Sequence, residues 1–99
     1  MDSREMSKVR DVLAFNLKYY RKQLNLPQDK FAVVIGTSLS YLNQIENRKV
    51  DVRASTIDKF ALGINKYNPK LNINSLDLLN YDKSKETNYS RIDERKQSD

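Results

Sequence analysis

Residues 28–47 carry side chains that can form hydrogen bonds, interleaved with apolar side chains at helical spacing. Asn43 and Gln44 carry side-chain amides, which donate and accept hydrogen bonds together and can therefore pair bidentately with adenine. Leu42 and Ile45 recur at helical spacing within the same stretch, so a short helix here would have one apolar and one polar face. This pattern indicates recognition through hydrogen bonds rather than catalysis.

The elements that position these amides are predicted to be two short helices joined by a tight turn. Ala32 lies on the inner face of the first helix, and Gly36 falls four residues later, where that helix should end. Glycine favours this point because it adopts the left-handed conformation common at helix C-termini. Ser38 is a natural N-cap for the next helix. We therefore predict helices over residues 28–35 and 39–47, which together form a helix-turn-helix, a unit that lays its second helix in the DNA major groove.

The rest of the chain is predicted to be helical as well. Apolar residues recur at intervals of three and four over residues 7–23, and similar patterns predict helices over 54–67 and 75–81. Residues 82–99 have only two large apolar side chains, Tyr89 and Ile92, which indicates a polar tail that is disordered or partly helical. The prediction is an all-α fold of five helices, with a DNA-binding and dimerisation domain over residues 1–81 and a polar tail over 82–99.

Composition narrows the possible functions. The 99 residues carry a formal charge of +5, and residues 1–81 hold thirteen Lys or Arg against eight Asp or Glu, which favours a polyanionic partner. There is no cysteine or histidine, and we see no clustered carboxylates or glycine-rich phosphate loop, so we predict no enzyme, metal or cofactor. The charged N-terminus does not resemble a signal peptide and no segment suits a membrane span, so the expected location is cytoplasmic.

From about Leu13 to Ile64 the chain resembles the Cro/lambdoid-repressor helix-turn-helix family, also called the xenobiotic-response-element-like family. The motifs that carry the resemblance are Leu17-Lys18-x-Tyr20-Arg21, Leu24-x-Leu26-x-Gln28, Phe31-Ala32, Gly36-x-Ser38-x-Ser40-Tyr41-Leu42-x-Gln44-Ile45-Glu46-Asn47 and Thr56-Ile57-x-Lys59-Phe60-Ala61. The resemblance implies a lambda-repressor-like fold that binds double-stranded DNA. The family usually has glycine where Arg48 stands, so the loop after the third helix is altered here.

The resemblance also implies which side chains meet DNA. Base contacts are implied for Ser38, Leu39, Ser40, Asn43 and Gln44. Leu39 would touch a thymine methyl group, unless it packs in the core or is simply exposed. Phosphate contacts are implied for Gln28, Tyr41, Asn47, Arg48, Lys49 and Arg53. Arg48, in place of glycine, either adds one such contact or is a solvated surface charge.

Two further sets of residues have structural roles under this reading. Arg21 and Glu46 are implied to form a partly buried ion pair that locks the third helix onto the first, with a phosphate ligand as the alternative for Arg21. Apolar residues in excess of the core are candidates for a dimer interface, with internal packing as the alternative for each. They are Ile64, Tyr67, Leu71, Ile73, Leu76 and Leu79, with Val12, Phe15 and Tyr19 as a second candidate stripe.

The leading hypothesis is a homodimeric, sequence-specific transcription regulator that reads a palindromic operator with the third helix. Among small members of this kind, a restriction–modification controller or a phage-type repressor or activator fits best, and no small-molecule ligand is expected. The alternative is an antitoxin or another protein-interaction module whose main partner is a toxin bound by the charged tail.

Overall fold

Six α-helices and no strand make up the part of the chain that the structure describes. The computed structural model describes the backbone of residues 3–97 and the side chains of residues 9–89 and 91; residues 1, 2, 98 and 99, which the sequence analysis assigned to the domain and the tail, lie outside it. The helices are α1 (Ser3–Gln23), α2 (Gln28–Ile35), α3 (Leu39–Glu46), α4 (Ala54–Tyr67), α5 (Ser75–Leu79) and α6 (Lys83–Gln97). The predicted all-α fold class is confirmed.

The helix-turn-helix begins and ends where local chemistry requires it. Pro27 precedes α2 in an extended conformation, and Gly36 ends α2 with a φ of 77°. The N–H of Thr37 then donates to the Ala32 carbonyl at 2.9 Å, so the last carbonyls of α2 are satisfied within the turn. Ser38 caps α3 as predicted, because its Oγ accepts the N–H of Tyr41 at 3.0 Å.

The core lies where α1, α2, α3 and α4 meet. Leu17, Phe31, Leu42, Phe60 and Ile64 are each fully buried there. These side chains come from the apolar faces that the helical spacing predicted, one or two from each helix. Helices α2 and α3 therefore pack against α1 and α4, which hold them in place.

Gly63 permits a close approach of α4 to α2 that the sequence analysis did not anticipate. A Cβ atom at this position would lie 2.2 Å from the Val34 carbonyl oxygen and 3.1 Å from the Ile35 Cα atom. Both neighbours are backbone atoms, which cannot move without shifting the whole helix. Lys59, one turn earlier on α4, donates from Nζ to the Gly36 carbonyl oxygen at 3.0 Å. The turn between α2 and α3 is thus fixed against α4.

The helix count differs from the predicted five, because residues assigned to the polar tail form α6. This helix packs against α1, where the Tyr89 ring stacks on Phe15 with centroids 5.6 Å apart and Asn88 Nδ2 donates to Tyr19 Oη at 3.3 Å. The second apolar stripe of α1 provides the surface on which this polar helix rests. Helix α5 also ends two residues earlier than predicted, at Leu79, since Asn80 is extended.

No helix within residues 3–97 is long and apolar enough to cross a membrane. Among the side chains that the structure describes, those of residues 9–89 and 91, no group of three or more carboxylates is arranged to hold a metal ion.

Candidate nucleic-acid interface

Helix α3 divides into a buried face and a solvent-facing polar face. Leu42 and Ile45 are buried in the core, whereas Ser40, Asn43 and Gln44 are exposed. Together with Asn47 and Lys49, these three polar residues line a shallow open groove of about 270 Å³. The groove presents side-chain amides, a hydroxyl and an ammonium group to solvent, which are the groups that read base edges and phosphates in DNA.

The N-terminal end of α3 also projects outward. Leu39 is 47% exposed, so it does not pack in the core. Ser38 is exposed but already accepts one hydrogen bond as the cap of α3, which leaves its hydroxyl hydrogen available to a partner. The apolar side chain of Leu39 and the hydroxyls of Ser38 and Ser40 therefore lie together at the N-terminal end of α3. This is the helix that is predicted to enter the DNA major groove.

Asn43 and Asn47 are linked to each other across the last turn of α3. Asn47 Nδ2 donates to the Asn43 main-chain oxygen at 2.8 Å and to Asn43 Oδ1 at 2.5 Å. The contact orients the Asn43 amide, whose Oδ1 keeps a second lone pair and whose Nδ2 keeps its donors. Asn47 acts here as a brace at the C-terminus of α3, a role that the sequence analysis did not assign to it.

A bidentate ion pair fixes α3 to α1. Arg21 Nε lies 3.0 Å from Glu46 Oε2, and Arg21 Nη2 donates to Glu46 Oε1 at 3.1 Å. Gln28, the first residue of α2, also donates from Nε2 to Glu46 Oε1 at 3.0 Å. The structure therefore brings the predicted pair together and adds Gln28 to it. Glu46 is only 2% exposed, and its two partners, Arg21 on α1 and Gln28 on α2, hold the orientation of α3 relative to both neighbouring helices.

Three cations follow α3 along the loop to α4. Arg48, Lys49 and Arg53 are all exposed, and Arg53 is the residue that precedes α4. Arg48 has a φ of 62°, a left-handed conformation that favours glycine, which gives a physical reason for the glycine usual at this position in the resembling family. Its Nη1 lies 3.7 Å from Asp11 Oδ1 at the surface. This contact holds the guanidinium only weakly.

The same loop is tied to α1 by an ion pair that the sequence analysis missed. Arg10 Nε donates to Asp51 Oδ1 at 2.7 Å, and Tyr41 Oη donates to the Asp51 main-chain oxygen at 3.5 Å. The hydrogen bond from Arg10 lowers the pKa of Asp51, and the same bond raises the pKa of Arg10. No local pattern reveals a pair that is 41 positions apart.

The structure separates the dimer-interface candidates into two groups. Ile64 and Ile73 are buried in the chain's own core, so the prediction that they face a partner is corrected: their burial is already complete within one chain. Leu71 is half-buried, whereas Tyr67, Leu76 and Leu79 are exposed. Leu62 on α4 is 62% exposed and was not predicted. Of the second stripe, Val12 is half-buried and Phe15 and Tyr19 pack against α6.

A helix with an exposed polar face, locked to two neighbours and followed by three exposed cations, defines the class of DNA-binding helix-turn-helix proteins. Residues 17–68, just over half of the chain, match the model of the Helix-turn-helix family (HTH_3), and the chain belongs to this family. It is a DNA-binding transcription regulator of that family, as the resemblance to the Cro/lambdoid-repressor group implied.

The chain is similar to known proteins in sequence and in fold. Control protein C.SmaI of Serratia marcescens is 32% identical over 63 residues, which cover 64% of this chain and 75% of that protein. The crystal structure of the hypothetical transcription factor NHTF from Neisseria superposes with a TM-score of 0.65 at 22% identity and covers 80% of this chain and 83% of the other. The second likeness concerns the fold.

Proposed function

We propose that the chain is a dimeric, sequence-specific regulator in the cytoplasm that reads a palindromic operator with α3. The observation that carries this proposal is the exposed polar face of α3, which is rigidly mounted through Glu46 and has no role in the core. The similarity to a protein named as a control protein favours a restriction–modification controller over a phage-type regulator.

Base reading is assigned to the exposed side chains of α3. Gln44 presents an amide that can pair with adenine, and Asn43 presents a second one held in place by Asn47. Leu39 is exposed beside two hydroxyls, those of Ser38 and Ser40, so it can meet a thymine methyl group. Several adjacent bases would thus be read by one short helix.

Phosphate contacts are assigned to the residues that flank α3. Lys49, Arg48 and Arg53 are exposed cations on the loop after α3. Tyr41 contacts the main-chain oxygen of Asp51 in the same loop, and Asn47 is exposed at the end of α3. Gln28 keeps its Oε1 and one Nε2 hydrogen beside the start of α2, since only one amide hydrogen is used on Glu46. These contacts would set the register of α3 and add salt-dependent affinity without reading sequence.

The second copy is proposed to pack on the α4–α5 apolar surface, formed by Leu62, Tyr67, Leu76 and Leu79. Leu62 lies on the same face of α4 as Asp58 and Asn65, which contact Ser75 and Ile73 respectively. Leu62 therefore lies on the side of α4 that faces the start of α5. A twofold dimer through this surface would place two α3 helices on half-sites about one helical turn, roughly 34 Å, apart.

The proposal is tested first on base reading. Gln44→Ala should weaken binding to a site selected from random DNA by ~1–3 kcal/mol and leave binding to unrelated DNA nearly unchanged. Lys49→Ala is the matched contrast, because a lost phosphate contact should weaken both complexes alike and reduce the salt dependence. If Gln44→Ala weakened both complexes equally, the assignment of Gln44 as a base reader would be refuted.

Dimerisation is tested by sedimentation of the full chain and of Leu76→Asp. Leu76 is 72% exposed, so the substitution should leave the fold intact while it places a charge in the proposed interface. We expect a wild-type dimer, a Leu76→Asp monomer and an inverted repeat among the selected sites. A wild-type chain that sediments as a monomer at micromolar concentrations would overturn the dimer.

A further inference from the structure

The carbonyl groups at the C-terminal end of helix α5 need hydrogen-bond donors from outside the helix. It spans only five residues, Ser75–Leu79, too short to be stable without tertiary support. Its N-terminus is closed by a capping box in which Asn74 and Asp77 exchange hydrogen bonds, at 3.1 and 2.7 Å. Its C-terminus has no such local motif, so the last carbonyl groups need partners from elsewhere in the chain.

Two side chains from other helices supply those partners. Asn16 of α1 is fully buried and donates from Nδ2 to the carbonyl oxygens of Leu78, at 2.8 Å, and Asn80, at 3.2 Å. Lys85 of α6 donates from Nζ to the carbonyl oxygens of Asp77, at 2.9 Å, and Asn80, at 3.4 Å. The end of α5 is therefore capped by a buried amide and by a cation, the charge that the helix dipole favours at this end.

Lys85 also joins the three helices to one another. Its Nζ donates to Asn16 Oδ1 at 3.1 Å, so all three ammonium donors have acceptors, and it lies 5.5 Å from the centre of the Tyr20 ring on α1. The side chain is half-buried, and this burial lowers its pKa from the ordinary lysine value. The half-buried amine of Lys85 therefore links α6 to both α1 and α5.

We propose that Lys85 is a positioning residue for the dimer: through it α6 holds α5 in the orientation that presents Leu76 and Leu79 to a second copy of the chain. The inference rests on the proposed dimer. Both α5 and α6 follow the residues matched by the family model, 17–68, so this support is an addition to the matched domain. Dimer affinity, and hence occupancy of a two-half-site operator, then depends on the docking of α6.

The test compares three variants of the full chain by sedimentation. Lys85→Met keeps the aliphatic length but removes the donors, and we expect its dimer dissociation constant to rise about tenfold or more. Lys83→Met is the matched control, because Lys83 is an exposed lysine on the same helix, and its constant should change less than about twofold. Lys85→Arg keeps a cation with several donors and should recover most of the affinity.

Hydrogen exchange separates this role from general destabilisation. In Lys85→Met the amides of α5 and α6 should exchange faster, whereas those of α2, α3 and α4 should keep their protection. A Lys85→Met chain that dimerises as tightly as wild type, or one that is weakened no more than Lys83→Met, overturns the inference while the dimer itself stands. If wild type is monomeric, the proposed dimer fails and the positioning role fails with it. Exchange in α5 then reports separately whether Lys85 holds that helix.

Discussion

Replacement of Glu46 by alanine should strongly destabilise the domain rather than change its sequence preference. The carboxylate receives three hydrogen bonds, two from Arg21 and one from Gln28, and is 2% exposed. In Glu46→Ala the Arg21 guanidinium, itself only 14% exposed, loses its counter-charge where water can hardly replace it. Breaking such a pair typically costs ~3–5 kcal/mol. For a domain of this size, that loss lowers the melting temperature by at least ~12 °C.

The assay is thermal and urea unfolding followed by circular dichroism, together with DNA binding at a temperature where the variant is folded. The control is the double variant Arg21→Met with Glu46→Leu, which replaces the pair by apolar side chains and should recover much of the lost stability. Recovery would show that the stranded charge, not the lost packing, causes the damage. A Glu46→Ala chain that melts like wild type but no longer binds DNA would refute the structural role.

Three other predictions concern backbone geometry and ionisation. Gly63→Ala should lower the unfolding free energy, measured in urea, by ~3 kcal/mol or more, because its Cβ would meet the Val34 carbonyl. Gly36→Ala should lower it by only ~1–2 kcal/mol, because of the positive φ at that position. Equal losses in the two variants would contradict the close approach of α4 to α2. Arg48→Gly should raise the unfolding free energy by up to ~1 kcal/mol, and any loss would argue against strain at its φ of 62°. Burial raises the pKa of Tyr20 from 10.0 to about 12, so its stabilising contribution is complete below pH 10 and is lost as the pH rises through about 12. Over that pH range the unfolding free energy of wild type should fall by on the order of 2 kcal/mol more than that of Tyr20→Phe. Parallel curves of unfolding free energy against pH for the two proteins would refute this.

The helix-turn-helix was predictable because its signals are local. Pro27, Gly36 and Ser38 each act on the backbone within a few residues, so the limits of α2 and the start of α3 follow from residue type alone. The apolar face of α3 follows from helical spacing in the same way. The resemblance to the Cro/lambdoid-repressor family, and not the helical spacing, implied that the polar face of α3 meets DNA.

Other features depend on residues far apart in the chain. The Arg10–Asp51 pair and the contact of Lys85 with Asn16 join positions 41 and 69 residues apart, and no periodicity marks them. Gly63 reads in the sequence as a tolerated glycine within a helix, and only the distance to the α2 backbone shows why a side chain is excluded. Helix α6 was assigned to a polar tail because its few apolar residues give little amphipathic signal in the sequence. Only the tertiary structure shows that Tyr89 packs on Phe15 of α1.

By itself the sequence determined the fold class and the helix-turn-helix, because capping, turn geometry and helical spacing act within a few residues. Only the tertiary structure decided which apolar residues remain for a partner. Ile64 and Leu62 look alike in the sequence, yet one is buried in the core and the other is exposed. That choice depends on how completely the other helices cover each residue, which is a property of the packed chain and not of any local segment.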